Sequence, residues 1–366
     1  MASSSGRRRP IVGVIVGRRL VRTEGMRELA EANQVANTTL HFFSARNVDF
    51  RRRKISGIRF NSRKRRWERS SIRRPDVLYV RGGSSAIVRR TVDRFDRMGI
   101  PRINPLVRFS KSELFQKLKQ DENIRPYLPY TKSIHRFSNV RKYVRKLGTV
   151  YIKANYGRKG TQVMRAIKIP EGGYGYSYAV IHHLVRNKVD HFKDLKKVMK
   201  SFFGNREFIV QEAIDLIRVG QDQPVDFRAE LQRDGKGKLN ISGISVRVGQ
   251  SHSPITTHAS AYKMDDQLQD LFPEYSKDEI EDLNKKIRDF VITVYKGVER
   301  CYGKFGELGI DFAVDSKGKI WLIECNAQSA KVSIGKAYGP KTRRQIYLIP
   351  LQYAKRLANK NRKRKN

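Results

Sequence analysis

Two short apolar runs near the C-terminal end constrain this chain most: Gly309 to Val314, and Ile320 to Asn326, on either side of Asp315-Ser316-Lys317-Gly318. They read as a β-hairpin. A two-residue loop at Ser316-Lys317 would set Asp311 opposite Leu322, and one at Lys317-Gly318 would set it opposite Glu324. Side chains alternate along a strand, so either register leaves Asp311, Glu324 and Asn326 on one face. Cys325 then falls on the opposite face, toward the core. Two carboxylates and an amide oxygen amid Ile, Leu, Val and Trp need a positive partner. Hard oxygen donors of this kind suit Mg²⁺ or Mn²⁺ bridging to substrate phosphates. The alternative is a solvated polar face on an amphipathic hairpin.

The 366 residues are enough for two or three domains with a real core, and 39% hydrophobic residues predict that most of the chain folds. Lys and Arg number 77 against 35 acids, so the chain expects an anionic partner: nucleic acid, an acidic polymer, an anionic surface or a phosphorylated ligand. Cys301 and Cys325 are the two cysteines, which implies no disulfide framework and a reducing compartment. No apolar run approaches the roughly 20 residues of a membrane span. The run Ile11 to Gly17 is followed at once by Arg18-Arg19 and lacks a cleavage-type site, so it reads as a strand rather than a signal peptide. The expectation is a cytoplasmic protein.

Residues 1–9 read as a basic leader. Strands are predicted at Ile11–Val16, Thr38–Ser44 and Asp76–Val80, with a helix over Thr23–Ala36 capped by Thr23. This order suggests a small open α/β domain reaching about residue 105. Gly13, Gly17, Gly82 and Gly83 do not form GxGxxG, which excludes a Rossmann dinucleotide site. Arg46 to Arg74 carries 13 basic residues and two acids, with Phe50, Phe60 and Trp67 interleaved. Charge and stacking together could hold single-stranded nucleic acid without reading bases. A hairpin whose aromatics anchor it is the alternative.

Ser110 begins a helix running to about Lys119. Thr149–Lys153 is a strand, followed by a loop containing Gly157 and Gly160. Two glycines let backbone N–H groups approach phosphate oxygens while Lys153 neutralises charge; the Walker pattern is absent. Tyr174, Tyr176 and Tyr178 share a strand face and read as packing. His182, His183 and His191 lack metal-ligand spacing. Asp194–Phe203 reads as an amphipathic helix. Glu207–Asp215 is a strand leading into a linker. Val225–Leu231 and Leu239–Arg247 form a second hairpin around Asp234-Gly-Lys-Gly237. Asp226 and Arg228 share a face, either as a site or as an exposed ion pair of little worth. Ser276 and Glu279 make a capping box before a core helix extending to about Cys301. The tail from Asn359 reads as disordered and basic.

Leu308-Gly-Ile-Asp311 with Ile323-Glu-Cys-Asn326 resembles the metal-binding end of ATP-grasp enzymes, in which an aspartate precedes Glu-x-Asn. The order of motifs across residues 10 to 355 is similar to that of the YheC/YheD-like, endospore coat-associated branch. Phe43 to Asp49, Ile55-Ser-Gly57, Trp67 and Pro75 to Tyr79 follow that branch's N-terminal pattern. The resemblance implies α/β and α+β architecture: an ATP-grasp fold preceded by an open α/β pre-ATP-grasp domain. Its parts would be residues 1–105 (leader and pre-domain), 106–210 (first lobe), 211–355 (second lobe, with the metal hairpin) and 356–366 (tail). It implies nucleotide contacts from Lys111, Lys153, Gly157 and Gly160, and adenine held around Gln211, Glu212 and Ala213. Asp226 and Arg228 would lie at the nucleotide, and Arg247 near the transferred phosphate. Arg228 and Arg247 would be catalytic, with Asp311, Glu324 and Asn326 as ligands of Mg²⁺ or Mn²⁺.

One departure stands out. The usual Asn-Leu-His and glycine pair is replaced by Thr256-Thr-His258-Ala-Ser-Ala261, where Thr256 could still donate to phosphate. The implied function is ATP-dependent carboxylate–amine ligation on an acidic peptide or polymer. The alternative is a spore- or nucleic-acid-associated ATP-binding protein without turnover. Spore-coat association is the further implication of the resemblance.

Overall fold

The computed structural model describes residues 8–157, 162–180, 183–251, 253, 256 and 260–363. Three six-stranded sheets organise them. In the first, Ile11–Ile15 lies parallel to both Thr39–Phe43 and Val77–Val80. Parallel strands covered on both faces need continuous apolar runs, and Val12, Val14, Phe42, Val77 and Leu78 are all buried. The helix Glu24–Ala36 caps as its sequence predicts: the Thr23 hydroxyl accepts from Met26 N–H, and Asn37 closes it in the left-handed region at φ 56°. A Cβ on Gly82 would lie 1.7 Å from the Val16 carbonyl carbon. That glycine serves a crossing of two backbones, not a cofactor.

The Arg-rich stretch folds as an antiparallel ribbon, Lys54–Asn61 against Arg66–Ile72. Trp67 packs against Phe42 and Phe60, with ring centroids 5.4 and 5.2 Å away. The ribbon's aromatics are therefore its anchors, and its basic side chains are left at the surface.

The second sheet is antiparallel, in the order His183–Val189, Tyr174–Val180, Val163–Lys168, Thr149–Ala154, Phe208–Glu212, Thr131–Ile134. The tyrosine stripe is packing: Tyr174 meets Phe192 at 5.5 Å and Tyr178 meets Phe202 at 4.4 Å.

The third sheet orders Ser260–Lys263, Leu239–Val248, Gln223–Arg233, Glu307–Val314 and Ile320–Asn326, all antiparallel. One face is apolar. Phe227 and Phe312 stack at 5.1 Å and receive Phe290 of the long helix Lys277–Tyr302. Leu283, Ile287, Val291, Val294 and Val298 of the same helix are buried there too, each contributing about 1.5–3 kcal/mol. The capping box of Ser276 and Glu279 is present in both directions.

The closing turn differs from both two-residue alternatives. Asp315 N–H donates to Lys319 O, so the loop holds three residues, with Gly318 at φ 75°. That loop alone would turn Glu324 to the wrong face. A bulge at Ile323 restores the pairing of Asp311 with Glu324 and of Gly309 with Asn326.

The last helix, Val332–Lys363, bends where Gly339 takes φ 75° just before Pro340. Ile346, Leu351, Ala354 and Ala358 join Val12, Leu29 and Phe42 in one core, so the last helix completes the packing of the first sheet. The tail expected to be disordered from Asn359 instead continues this helix to Lys363. Ala358 is buried, and Arg362 bonds Asp76 Oδ2 at 2.9 Å, which holds the final turns. Among the described residues, no helix is long and apolar enough to cross a membrane.

Candidate active site

The second face of the third sheet is polar by strand parity: Asp226, Arg228, Glu230 and Gln232 on one strand, Glu307, Gly309 and Asp311 on the next. Register pairs Arg228 directly with Asp311, and Asp226 with Arg247. Arg228 Nη2 donates to Asp311 Oδ2 at 2.8 Å, and its Nε donates to Oδ1. Arg247 grips Asp226 through Nε and Nη2, both at 2.6 Å, and its Nη2 lies 3.1 Å from Asp311 Oδ1. Both are forked guanidinium–carboxylate contacts, the geometry in which arginine exceeds lysine. The Thr256 hydroxyl, buried, donates to Asp226 Oδ2. In this state its donor is committed to a carboxylate.

Lys111 reaches the same face from the start of the helix Lys111–Leu118, its ammonium 3.0 Å from Glu324 Oε1. It is seated by a residue the sequence did not single out, Asn155. The Asn155 side chain accepts from Ser112 N–H at 2.9 Å and from the Ser110 hydroxyl at 3.1 Å, and its carbonyl accepts from Lys111 N–H. Asn155 follows Lys153 by two positions and is buried; a short polar residue ending an apolar strand was the available signal.

Lys153 comes from the second sheet and donates to Gln211 Oε1 at 2.5 Å; Gln211 donates in turn to the Thr131 hydroxyl at 2.9 Å. Asn326 Nδ2 donates to Asp311 Oδ2 at 3.1 Å, which leaves the amide oxygen as a further donor atom toward a cation.

These positions converge; others do not. The Glu212 side chain accepts from Tyr130 N–H at 2.7 Å and so ties two strands together. Ala213 follows that strand in the connection to the third sheet. A Cβ on Gly157 would meet only Ala154 O at 3.8 Å and Gln162 Cβ at 4.0 Å, so nothing described requires a glycine there. Gly160, and the neighbours Arg158 and Lys159, lie outside the described residues, as do His182 and His258.

Burial, and then the Lys111 charge, pull Lys153 down to about 8, against the pull of Glu324, Asp311 and Asp226. Burial pushes Asp226 up despite Arg247. Asp311 is equally buried, but Arg228 and Arg247 together outweigh burial and hold it below the usual carboxylate range. The Cys325 thiol is pushed well up by burial and by Glu324, and it belongs to the core.

Four cations (Lys111, Lys153, Arg228, Arg247) thus face three carboxylates (Asp226, Asp311, Glu324). A triphosphate brings more negative charge than this surplus neutralises. Among the described residues, no three His, Cys, Asp or Glu groups cluster as a ready metal cage. The oxygen set of Asp311, Glu324 and Asn326 suits a hard divalent ion that keeps substrate phosphates as ligands, the usual arrangement for Mg²⁺.

A second charged group continues the same stripe and was not foreseen. Lys331, buried and at φ 62°, donates to Glu230 Oε1 at 2.8 Å and to Glu307 Oε2. Arg81 of the first domain donates to Glu307 Oε1 at 3.0 Å and to Ser329 O at 2.7 Å. Gly309 separates the two groups, since a Cβ there would lie 3.0 Å from Arg228 Nη1 and 3.2 Å from Ser329 Oγ.

Known proteins bear on this arrangement. Two endospore coat-associated proteins of Bacillus subtilis (strain 168) are similar in sequence. YheD is 25% identical over 314 residues, 83% of this chain and 67% of YheD. YheC is 22% identical over 312 residues, 80% of this chain and 81% of YheC. Among solved structures, D-cycloserine synthetase DcsG aligns with a TM-score of 0.58 at 12% identity, over 96% of this chain and 99% of DcsG. The ATP-grasp ligase PsnB, complexed with minimal precursor, Mg and ADP, aligns at 0.51 and 12% identity, over 94% and 98%. These likenesses establish the ATP-grasp fold. The profile described as YheC/D like ATP-grasp matches residues 99–357, well over half of the sequence, and the chain belongs to that family.

Proposed function

We propose that this protein is an ATP-dependent ligase joining a carboxylate to an amine through an acyl phosphate, with an acidic peptide or polymer as acceptor. The observation that carries the reading is the convergence of Lys111, Lys153, Arg228 and Arg247 on Asp226, Asp311 and Glu324, where two sheets meet. Lys111 and Lys153 serve to bind nucleotide phosphates. Gln211 holds the Lys153 ammonium in place, and Asn155 holds the helix start that carries Lys111. The acceptor carboxylate attacks the γ-phosphorus and ADP departs. An amine then attacks the acyl carbon and releases phosphate. Arg228 and Arg247 lie where charge on the transferred group would be neutralised, and both are pre-aligned by carboxylates. Asp311, Glu324 and Asn326 would hold Mg²⁺, which supplies Lewis acidity and charge compensation when bound.

The test is Mg²⁺-dependent ADP release with hydroxylamine as amine and pooled carboxylates or acidic peptides as acceptors. Hydroxylamine traps acyl phosphates, so the natural amine need not be known. The expected result is ADP with hydroxamate, abolished by Glu324→Gln. Glu324 is partly exposed and, among the described residues, forms an ion pair with Lys111 only, so this change should cost only about 1 kcal/mol of stability. ADP without hydroxamate refutes ligation. Tight Mg-ATP binding without ADP favours a nucleotide-binding protein that has lost turnover.

A further inference from the structure

The first domain carries a feature outside the nucleotide site. Arg46, Arg51, Arg52, Lys54 and Arg94 line an open groove of about 560 Å³, with Asp49 as its one acid. All five cations are exposed. Asp49 is committed to the turn, accepting from Arg52 N–H at 2.9 Å. Its carboxylate also lies 3.9 Å from Arg52 Nε, so Asp49 offsets one of the cations and the groove keeps the rest in excess.

The groove's floor decides among anionic partners. Phe50 is half-buried, with Phe95 at 5.1 Å on one side and the Arg94 guanidinium over its ring at 4.3 Å. Trp67 and Phe60 of the adjoining ribbon pack on each other and on Phe42. Single-stranded nucleic acid draws much of its affinity from bases stacking on open aromatic faces. Here Phe50, the aromatic of the lining, is covered by Phe95 and Arg94, and the polar lining is mostly cationic, with Asn47, Ser56 and Asp49 beside the five cations. Guanidinium forks match carboxylates and phosphates alike, so the covered aromatic, rather than the cations, favours an acidic peptide over a single strand.

Position links the groove to the site. Arg94 sits on the helix Ala86–Arg97, which begins beside Gly83. Gly83 N–H donates to Gln328 Oε1 at 3.2 Å and Gly83 O accepts from Gln328 Nε2 at 3.1 Å, two residues beyond Asn326. From the helix start to Arg94 is about 12 Å at 1.5 Å per residue. An extended peptide spans that with roughly four residues.

We infer that this groove docks an acidic stretch of the acceptor polypeptide and so delivers a nearby carboxylate to the site. The inference rests on the ligase reading for its purpose, but its test does not depend on turnover. Full-length, nucleic-acid-free protein is titrated with fluorescein-labelled oligoglutamate at fixed ionic strength. Arg46→Glu with Arg94→Glu should weaken binding about tenfold or more. Lys193→Glu with Lys196→Glu, on the exposed face of the helix Phe192–Phe203, should weaken it no more than about twofold. Unchanged Mg-ATP affinity certifies the fold. If the double reversal does not fold, Arg51→Gln with Lys54→Gln tests the same lining.

Equal weakening by both pairs of reversals overturns the proposal. So does a single-stranded oligonucleotide whose binding needs the groove when that of oligoglutamate does not. Groove-dependent peptide binding without any hydroxamate leaves the groove standing and removes the ligase reading. Hydroxamate formed on acidic peptides with the same KM in the groove variant does the reverse.

Discussion

Lys153 gives the sharpest prediction. Its ammonium is enclosed between Gln211 and the carboxylate face, and burial and Lys111 bring it down to about 8 from 10.5. In the free protein at pH 9, about one molecule in ten carries the charge. Phosphates arriving at Lys153 favour the charged form, so nucleotide binding draws in a proton wherever Lys153 was neutral. The sign is fixed: affinity is full below pH 8 and falls as pH rises through it. The apparent Kd grows as 1 + 10^(pH − 8), about twofold at pH 8 and about elevenfold at pH 9. The last phosphate ionisation lies near 6, so the ligand's own charge is constant over this range. Isothermal titration of slowly hydrolysed Mg-ATPγS, whose terminal group is no more basic than that of ATP, in buffers of differing ionisation enthalpy, reads both affinity and proton uptake. Uptake should be about half a proton at pH 8 and near zero at pH 6.5. Lys153→Met should bind more weakly and with no slope between pH 7 and 9. A flat wild-type profile, or a slope surviving in the methionine variant, would refute the assignment of Lys153 to the phosphates.

Two further outcomes follow from the stripe. Lys331→Met removes the cation that Glu230 pairs with and leaves Glu307 to Arg81; about 3–5 kcal/mol of stability should be lost in urea unfolding, with partial recovery on adding Glu230→Gln. Gly309→Ala must displace Arg228 or Ser329 by a few tenths of an ångström; we expect about tenfold slower turnover with the melting temperature little changed, and equal loss of both would mean the glycine serves packing alone.

Much of the site was legible because it obeys the two-residue period of strands. Asp311, Glu324 and Asn326 share a face as expected, as do Asp226 and Arg228. What failed was the reason for the first: the turn has three residues, and a bulge at Ile323 compensates. A bulge leaves no compositional mark, so the pairing of Asp311 with Glu324 that one alternative gave could be right while its turn was not. Arg247 against Asp226 needed the register as well as the parity. Arg81, Lys331 and Glu307 were invisible for another reason: Arg81 and Glu307 lie 226 positions apart, and nothing local announces such a pair. Glu230 was the available hint, a carboxylate two places beyond Arg228 on a buried strand.

The last helix has a consequence for how the molecule is made. Ile346, Leu351 and Ala354 fill the same core as Val12, Leu29 and Phe42. Synthesis runs from the N-terminus, so the first domain leaves the ribosome with its hydrophobic face uncovered. It stays so until residues some 300 positions later emerge. Loops that long close slowly, and open apolar surface invites aggregation meanwhile. A nonsense mutation between residues 327 and 345 would therefore damage the sheet at the opposite end of the chain, leaving the sheet that carries Asp311 and Glu324 translated in full.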